Sequence, residues 1–137
     1  MIHRYLKIGD WCVDFLFAVD SYSDEEVLDY LYDADAPYSV MQKVSVFMDN
    51  NEFNCGFTYG NPDVKKAIVF VGPSTDNDEF LDTLVHEIHH LAVIIASSIG
   101  YDIDSETPAY IAGDYARGLA EVICLLGCPE CSNHRMS

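Results

Sequence analysis

The residues best suited to chemistry lie in the run His86-Glu87-Ile88-His89-His90. Residues four apart share one face of a helix, so His86 and His90 can direct two imidazoles at a single point. Glu87 reaches the rim of that point, where a metal-bound water would lie. A zinc hydrolase needs two neutral nitrogen ligands, an open coordination position and a carboxylate that accepts a proton. The run therefore predicts a catalytic zinc site.

The sequence around this motif predicts a buried helix. Apolar residues recur at helical spacing on both sides: Phe80, Leu81, Leu84, Val85, Ile88, Leu91, Ala92 and Ile95. Gly72-Pro73 interrupts the preceding segment, and Ser74, Thr75 or Asp76 is a suitable N-cap. A buried helix must satisfy its histidines and glutamate, and a metal ion would do so. The alternative is an ordinary amphipathic helix with its histidines on a solvated face.

A catalytic zinc needs a third protein ligand. In one subgroup of zinc enzymes the motif continues as His-x-x-Gly-x-x-His. Here Val93 stands at the position of that glycine and Ala96 at the position of the last histidine, so the chain does not belong to that subgroup. The acidic residues that follow are Asp102, Asp104 and Glu106. We expect Glu106 as the ligand. The alternatives are Asp104 or Asp102 as ligand, or all three carboxylates in a solvated acidic loop.

A polar turn after Gly100 is expected to separate the motif helix from a second helix. Ser105 is the expected N-cap of that helix, and Pro108 is tolerated in its first turn. Glu106 would then open the second helix as it folds back beside the first. Tyr110 follows on the same face, where it is a candidate to hydrogen-bond a developing oxyanion; the alternative is a packed tyrosine.

The second helix carries small residues that predict close packing against the first. They recur at spacings of three and four: Ala109, Ala112, Gly113, Ala116 and Ala120. Such packing would hold Glu106 and Tyr110 against the histidine helix. Asp114 is a candidate acceptor for the outer N–H of a ligand histidine, and the alternative is a surface carboxylate.

Taken together, these motifs resemble those of the gluzincin-type zinc metallopeptidases, and in particular small single-domain metallopeptidase-like proteins of gut bacteria and their phages. The resemblance spans about 54–118 and rests on four matching segments: Gly56-Phe-Thr58, Ala67-Ile-Val-Phe-Val71, His86 to His90, and Glu106-Thr-Pro-Ala-Tyr110. It implies a zincin-like fold, zinc held by His86, His90 and Glu106, and Glu87 as general base. It also implies that strand 67–71 forms the lip of a cleft to which an extended peptide adds; the alternative is an ordinary internal strand.

Composition is typical of a compact, acidic enzyme. The chain has 137 residues, half of them hydrophobic, which is enough for one domain with a real core. Seven Lys and Arg against 23 Asp and Glu give a net charge of −16, so nucleic acid is not expected as a partner. The charge would attract a cationic peptide or basic surface, although solubility alone also accounts for it.

Nothing in the chain predicts a membrane span or a secretion signal. No segment reaches eighteen consecutive apolar residues, and the N-terminus lacks the apolar core of a signal peptide, so we expect a cytoplasmic protein without a membrane partner. Five cysteines are an odd number, and a disulfide framework is not expected. Cys124, Cys128, Cys131 and His134 have metal-ligand spacing, so a second zinc there is the alternative to ordinary thiols.

The remaining segments are expected to form the scaffold. Hydrophobic alternation and turn signals predict strands, including a hairpin turning at Gly9-Asp10, while Ser23 and Glu26 form a capping box that opens a helix. The predicted strands are 5–8, 11–19, 53–59 and 67–71, a turn covers 60–63, and a further helix covers 37–49.

The sequence thus predicts a single α+β domain over 1–137. A short mixed or antiparallel sheet packs on the metal-bearing helix and the following Glu-bearing helix. Residues 1–52 form a scaffold, 53–127 form the metal-site half, and 128–137 form a short tail. The expected function is a zinc metallopeptidase using a zinc-bound water. The alternatives are a non-catalytic, metal-stabilised binding or accessory protein, and a zinc hydrolase acting on something other than peptides.

Overall fold

A computed structural model describes residues 1–19, 24–49, 56–73, 76–102 and 105–127. Within these ranges the chain is an α+β protein, as the sequence predicts. The strands are β1 (Ile2–Ile8), β2 (Trp11–Phe17), β3 (Gly56–Asn61) and β4 (Lys66–Val71). The helices are α1 (Asp24–Asp33), α2 (Tyr38–Asp49), α3 (Asn77–Ser98), α4 (Thr107–Gly118) and α5 (Ala120–Gly127).

The four strands form one mixed sheet in the order β1-β2-β4-β3. β1 and β2 are an antiparallel hairpin, which confirms the turn predicted at Gly9-Asp10, and Gly9 has the positive φ of 61° that this turn requires. β2 and β4 are parallel, whereas β3 is antiparallel to β4. The predicted mixed sheet is therefore confirmed, and it joins strands from both halves of the chain.

Two predictions about the last strands are wrong. The strand at 67–71 is internal, because β4 pairs with β2 on one side and β3 on the other, so it cannot form the lip of a cleft. β3 also extends through Gly60 and Asn61, which were expected in a turn, because they pair with Ala67 and Lys66. The Asn61 side chain then accepts a hydrogen bond from the Asp63 N–H, so the turn begins later.

Both faces of the sheet are covered, which explains why β2 and β4 read as almost continuous apolar runs. Val13, Phe15 and Val69 lie in the core that α3, α4 and α5 complete. Leu16 and Phe70 lie in the core on the opposite face, under α1 and α2. The interior strands thus anchor the sheet between two layers of helices, and α3 packs across β3 and β4.

α3 is the long helix that carries the motif. Asp76 is its N-cap, and Asp76 Oδ1 accepts a hydrogen bond from the Glu79 N–H at 2.7 Å. Gly100, at φ 84°, follows its end, as predicted. By length and apolar composition α3 is the one helix in the described ranges that could cross a membrane, but core helices pass the same test. In this structure 44% of the apolar 18-residue stretch of α3 is buried, and the helix packs against the sheet and the neighbouring helices.

The start of α4 differs from the prediction. The N-cap position is Glu106, one residue later than predicted, but Ser105 still contributes a capping contact: its hydroxyl oxygen accepts a hydrogen bond from the Thr107 N–H at 3.3 Å. The same hydroxyl donates to the Asp102 carbonyl at 2.6 Å. The Glu106 side chain makes no capping hydrogen bond, and Pro108 lies in the first turn, as expected.

The predicted packing of the second helix against the motif helix is confirmed, since α4 packs against α3. Only part of the small-residue stripe takes part: Ala112 packs against the core, whereas Ala109 and Gly113 are exposed, and Ala120 belongs to the next helix and is exposed too. The core-facing side of α4 also carries the larger side chains of Ile111 and Tyr115.

The cysteines also depart from expectation at one position. Cys124 is disulfide-bonded, so the prediction of ordinary thiols is wrong there, whereas Cys12 is a free thiol. The suggested second metal site at Cys128, Cys131 and His134 falls outside the described residues.

Candidate metal centre

The two motif histidines converge, as their spacing predicts. His86 Nε2 lies 3.1 Å from His90 Nε2, with the rings 4.6 Å apart and nearly perpendicular. Two nitrogens bound to one tetrahedral zinc, each at about 2.0–2.1 Å, are separated by about 3.3 Å. The histidine pair is therefore close to the geometry that a shared metal ion needs.

Solvent reaches both of these histidines. The prediction of a largely buried helix is confirmed for most of its apolar residues, namely Phe80, Leu84, Ile88, Leu91, Ala92 and Ile95. His86, His90 and Val85 are exposed, so the histidines lie on a solvated face, as in the alternative interpretation. Burial of the histidines therefore gives no argument for a metal ion.

Glu87 is the buried polar side chain of the described core, with only 6% of its surface exposed. The Thr58 hydroxyl on β3 donates to Glu87 Oε1 at 2.8 Å, and it also lies 3.2 Å from the Glu87 backbone carbonyl oxygen. Burying a carboxylate without such a partner would be costly. The strand therefore fixes the orientation of the glutamate.

Gly56 makes room for the same glutamate. A Cβ added at position 56 would stand 2.6 Å from Glu87 Cγ and 3.0 Å from Cδ, closer than real Cβ contacts come. A larger residue there would have to push Glu87 aside. Sequence reasoning included Gly56 and Thr58 only as part of a resemblance, because their contact with Glu87 depends on how β3 lies across α3.

The three motif side chains occupy one side of α3. At about 100° per residue, His86, His90 and Glu87 fall within an arc of about 100°. That arc borders β3, the outermost strand on this side of the sheet. β3 has no strand partner on its outer side in the part of the chain that the structure describes.

The structure does not bring Glu106 to the histidines. Among the described residues, no group of three or more His, Cys, Asp or Glu side chains is placed to hold a metal ion. Glu106 is exposed, and its Oε2 lies 3.4 Å from the hydroxyl of Tyr110, which is itself 70% exposed. Tyr110 is therefore not the packed tyrosine of the alternative interpretation. Asp104 lies outside the described ranges, and Asp102 is exposed.

The role suggested for Asp114 is not found. Its Oδ1 lies 3.5 Å from Arg117 Nη2, one turn along α4, as an exposed ion pair. It is a surface carboxylate, the alternative that the sequence left open, because it points along its own helix toward a cation.

No family model matches this chain, and no curated protein or solved structure does so either. The resemblance to gluzincin-type metallopeptidases therefore stays a prediction. What the chain can do has to be argued from the geometry of α3 and β3.

Proposed function

We propose that this chain is a zinc-dependent hydrolase on a zincin-like scaffold, and that its substrates are peptides. The observation that carries the proposal is the convergence of His86 and His90 on one point, beside a buried and hydrogen-bonded Glu87. A solvated helix face would not require a buried carboxylate next to two converging imidazoles.

His86 and His90 would hold the metal through their Nε2 atoms, which are already near ligand spacing. Glu106, at the N-cap of α4, is the proposed third ligand, and it would have to leave the exposed position described above to reach the metal. When bound, zinc lowers the pKa of a coordinated water toward neutrality and polarises a carbonyl group.

Glu87 is the proposed general base. It accepts a proton from the attacking water as the water oxygen bonds to the scissile carbonyl carbon, and then delivers that proton to the leaving nitrogen as the C–N bond breaks. Thr58 and Gly56 keep the carboxylate in place during both proton transfers. Thr58 does so by its hydrogen bond, and Gly56 by leaving space for the glutamate. Their part is positioning.

The outer edge of β3 is the proposed place for the substrate backbone. An extended peptide can add to a free strand edge by main-chain hydrogen bonds, and this edge borders the face that bears the histidines. The net charge of −16 would attract cationic peptides in preference to anionic ones.

The competing function is a non-catalytic module that uses the same metal for stability. A structural zinc site differs from a catalytic one because protein ligands fill all of its coordination positions. A non-catalytic module would therefore need no buried carboxylate next to the metal. The buried state of Glu87 favours the enzyme.

A pool of quenched fluorescent peptides of mixed sequence tests the proposal. The zinc-loaded protein should cleave members of the pool, and Glu87→Gln should retain zinc while losing turnover. Thr83→Ser, a half-buried conservative change on the same helix, serves as the matched control and should cleave normally. If Glu87→Gln cleaves as fast as the natural protein, the proposed mechanism is wrong. If the zinc-loaded natural protein cleaves no member of the pool, the proposal that its substrates are peptides is wrong.

A further inference from the structure

The histidine pair lies on a face of α3 that the described part of the chain leaves open. His86 and His90 are exposed, and so are Asp82, Val85 and His89 around them. The contacts of α3 with β3, β4, α4 and α5 are made by its other sides, which carry the buried residues of the helix. A second protein surface can therefore approach the two imidazoles directly.

One histidine pair does not complete the coordination of a zinc ion. Zinc in proteins is almost always held by four ligands, and His86 and His90 provide two of them. Among the described residues no group of three His, Cys, Asp or Glu side chains is placed to hold a metal ion, and Glu106 is exposed outside the pair. A zinc ion on the pair alone thus keeps two positions for other ligands.

A second copy of this chain carries the ligands that fit those positions. Its own pair presents two Nε2 atoms 3.1 Å apart, close to the separation of about 3.3 Å for two nitrogens on one tetrahedral zinc. Imidazole is a ligand that suits zinc. A two-fold axis through the metal would let each copy contribute the same two residues, as in the symmetric dimers that are commonest among proteins.

Without zinc, two copies have little to hold them together on this face. Each copy carries a net charge of −16, and Asp82 lies one turn before His86, so the copies repel each other. Val85, at 63% exposed, is the only large hydrophobic side chain of α3 in that state, which is far too little apolar surface for a stable interface. The association therefore depends on the metal ion.

We propose that, when zinc is limiting, two copies of this chain share one zinc ion through His86 and His90 of each copy. The inference rests on the proposed function, since it uses the same site, and it adds a means of regulation. Four imidazoles leave no position for the water that Glu87 activates, so the shared form is inactive. With one zinc ion for each chain, every pair holds its own ion and the dimer separates.

Analytical ultracentrifugation of the full chain during a zinc titration tests the proposal. The mass should be 15.4 kDa without zinc, should double at half an equivalent of zinc, and should return toward 15.4 kDa at one equivalent or after addition of EDTA. Cleavage of the peptide pool per bound zinc should rise as the mass falls back. A mass that stays at 15.4 kDa at half an equivalent, with the zinc bound, would overturn the shared site and leave the proposed function standing. If the chain binds no zinc at all, both proposals are wrong.

Two histidine variants test the assigned ligands. His90→Ala removes one imidazole of the pair and should stay monomeric at every zinc level. His89→Ala, the matched control, keeps the pair and should form the dimer at half an equivalent, as the natural protein does. Both side chains are exposed, so neither change should unfold the chain. If His90→Ala forms the zinc-dependent dimer as readily as His89→Ala does, the histidine pair is not the bridge and the inference fails.

Discussion

The two glutamates assigned to the zinc site lie in opposite environments. Glu87 is buried, accepts a hydrogen bond from Thr58, and packs into the space above Gly56. Glu106 is exposed, and its carboxylate lies 3.4 Å from the Tyr110 hydroxyl. Folding alone orients Glu87, whereas folding leaves Glu106 outside the histidine pair. The comparison teaches that packing alone orients the proposed base, whereas the proposed third ligand, Glu106, reaches the histidines only if it leaves the position that folding gives it.

The largest effect is expected from exchanging the two glutamates for glutamine. Glu87→Gln should lower kcat by about 10²–10⁴-fold, the usual contribution of a positioned general base, and should keep zinc. Glu106→Gln should instead lose zinc, because it removes a metal ligand and not the base. Steady-state kinetics beside metal analysis of both variants separates the two roles, and Asp102→Asn is the matched control for Glu106. If only Asp102→Asn lost zinc, the third ligand would be Asp102 and not Glu106.

A second large effect is expected at Gly56. Gly56→Ala puts a methyl group against Glu87, which has to move, so activity should fall at least tenfold and stability should fall by about 1–3 kcal/mol. Gly113→Ala is the control, since a Cβ there meets nothing within 4 Å. Within a helix that change should stabilise by about 0.5–1 kcal/mol. Urea unfolding measures both, and an unaffected Gly56→Ala enzyme would disprove the positioning of Glu87 by β3.

A moderate effect is expected at Thr58. Thr58→Val removes the hydroxyl that donates to Glu87 but keeps the shape of the side chain. Turnover should fall severalfold with little change in KM, since the lost bond orients the base and does not bind substrate. Thr58→Ser keeps the donor and should restore turnover. A rise in KM at constant kcat would show that Thr58 contacts substrate instead.

The smallest effect is expected away from both glutamates, at Tyr115. Burial raises the pKa of its hydroxyl, so the folded state holds this proton more tightly than the unfolded state does. Its contribution to stability is complete below about pH 10 and is lost as the pH rises toward the raised value. As the pH rises into the alkaline range, Tyr115→Phe should therefore lose less of its free energy of unfolding than the natural protein does. Tyr32→Phe, which changes an exposed ring, should lose as much as the natural protein. Urea midpoints at pH 8 and pH 10.5 provide the comparison.

Much of the fold could be predicted because the local signals were strong. Gly9 marked the hairpin, Asp76 was among the caps expected for α3, and Gly100 marked its end. The spacing of His86 and His90 correctly predicted their convergence. These features depend on residues that are close together in the sequence, which is why pattern and turn chemistry were sufficient.

The rest depends on tertiary contacts that no local pattern encodes. That β3 and not β4 lies at the edge follows from the parallel pairing of β2 with β4, which are separated in the chain by residues 18–65. The contacts of Glu87 with Gly56 and Thr58 follow from that order. The position of Glu106 depends on the turn before α4, where the Ser105 hydroxyl donates to the Asp102 carbonyl and accepts from the Thr107 N–H.

The most direct test of the zinc centre is the metal content of purified protein, measured for the natural chain, His90→Ala and His89→Ala. His89 is an exposed neighbour of the pair, so its variant controls for the loss of any histidine. We predict one zinc per chain in the natural protein and in His89→Ala, and none in His90→Ala. Equal zinc in all three proteins, or zinc in none of them, would contradict the account.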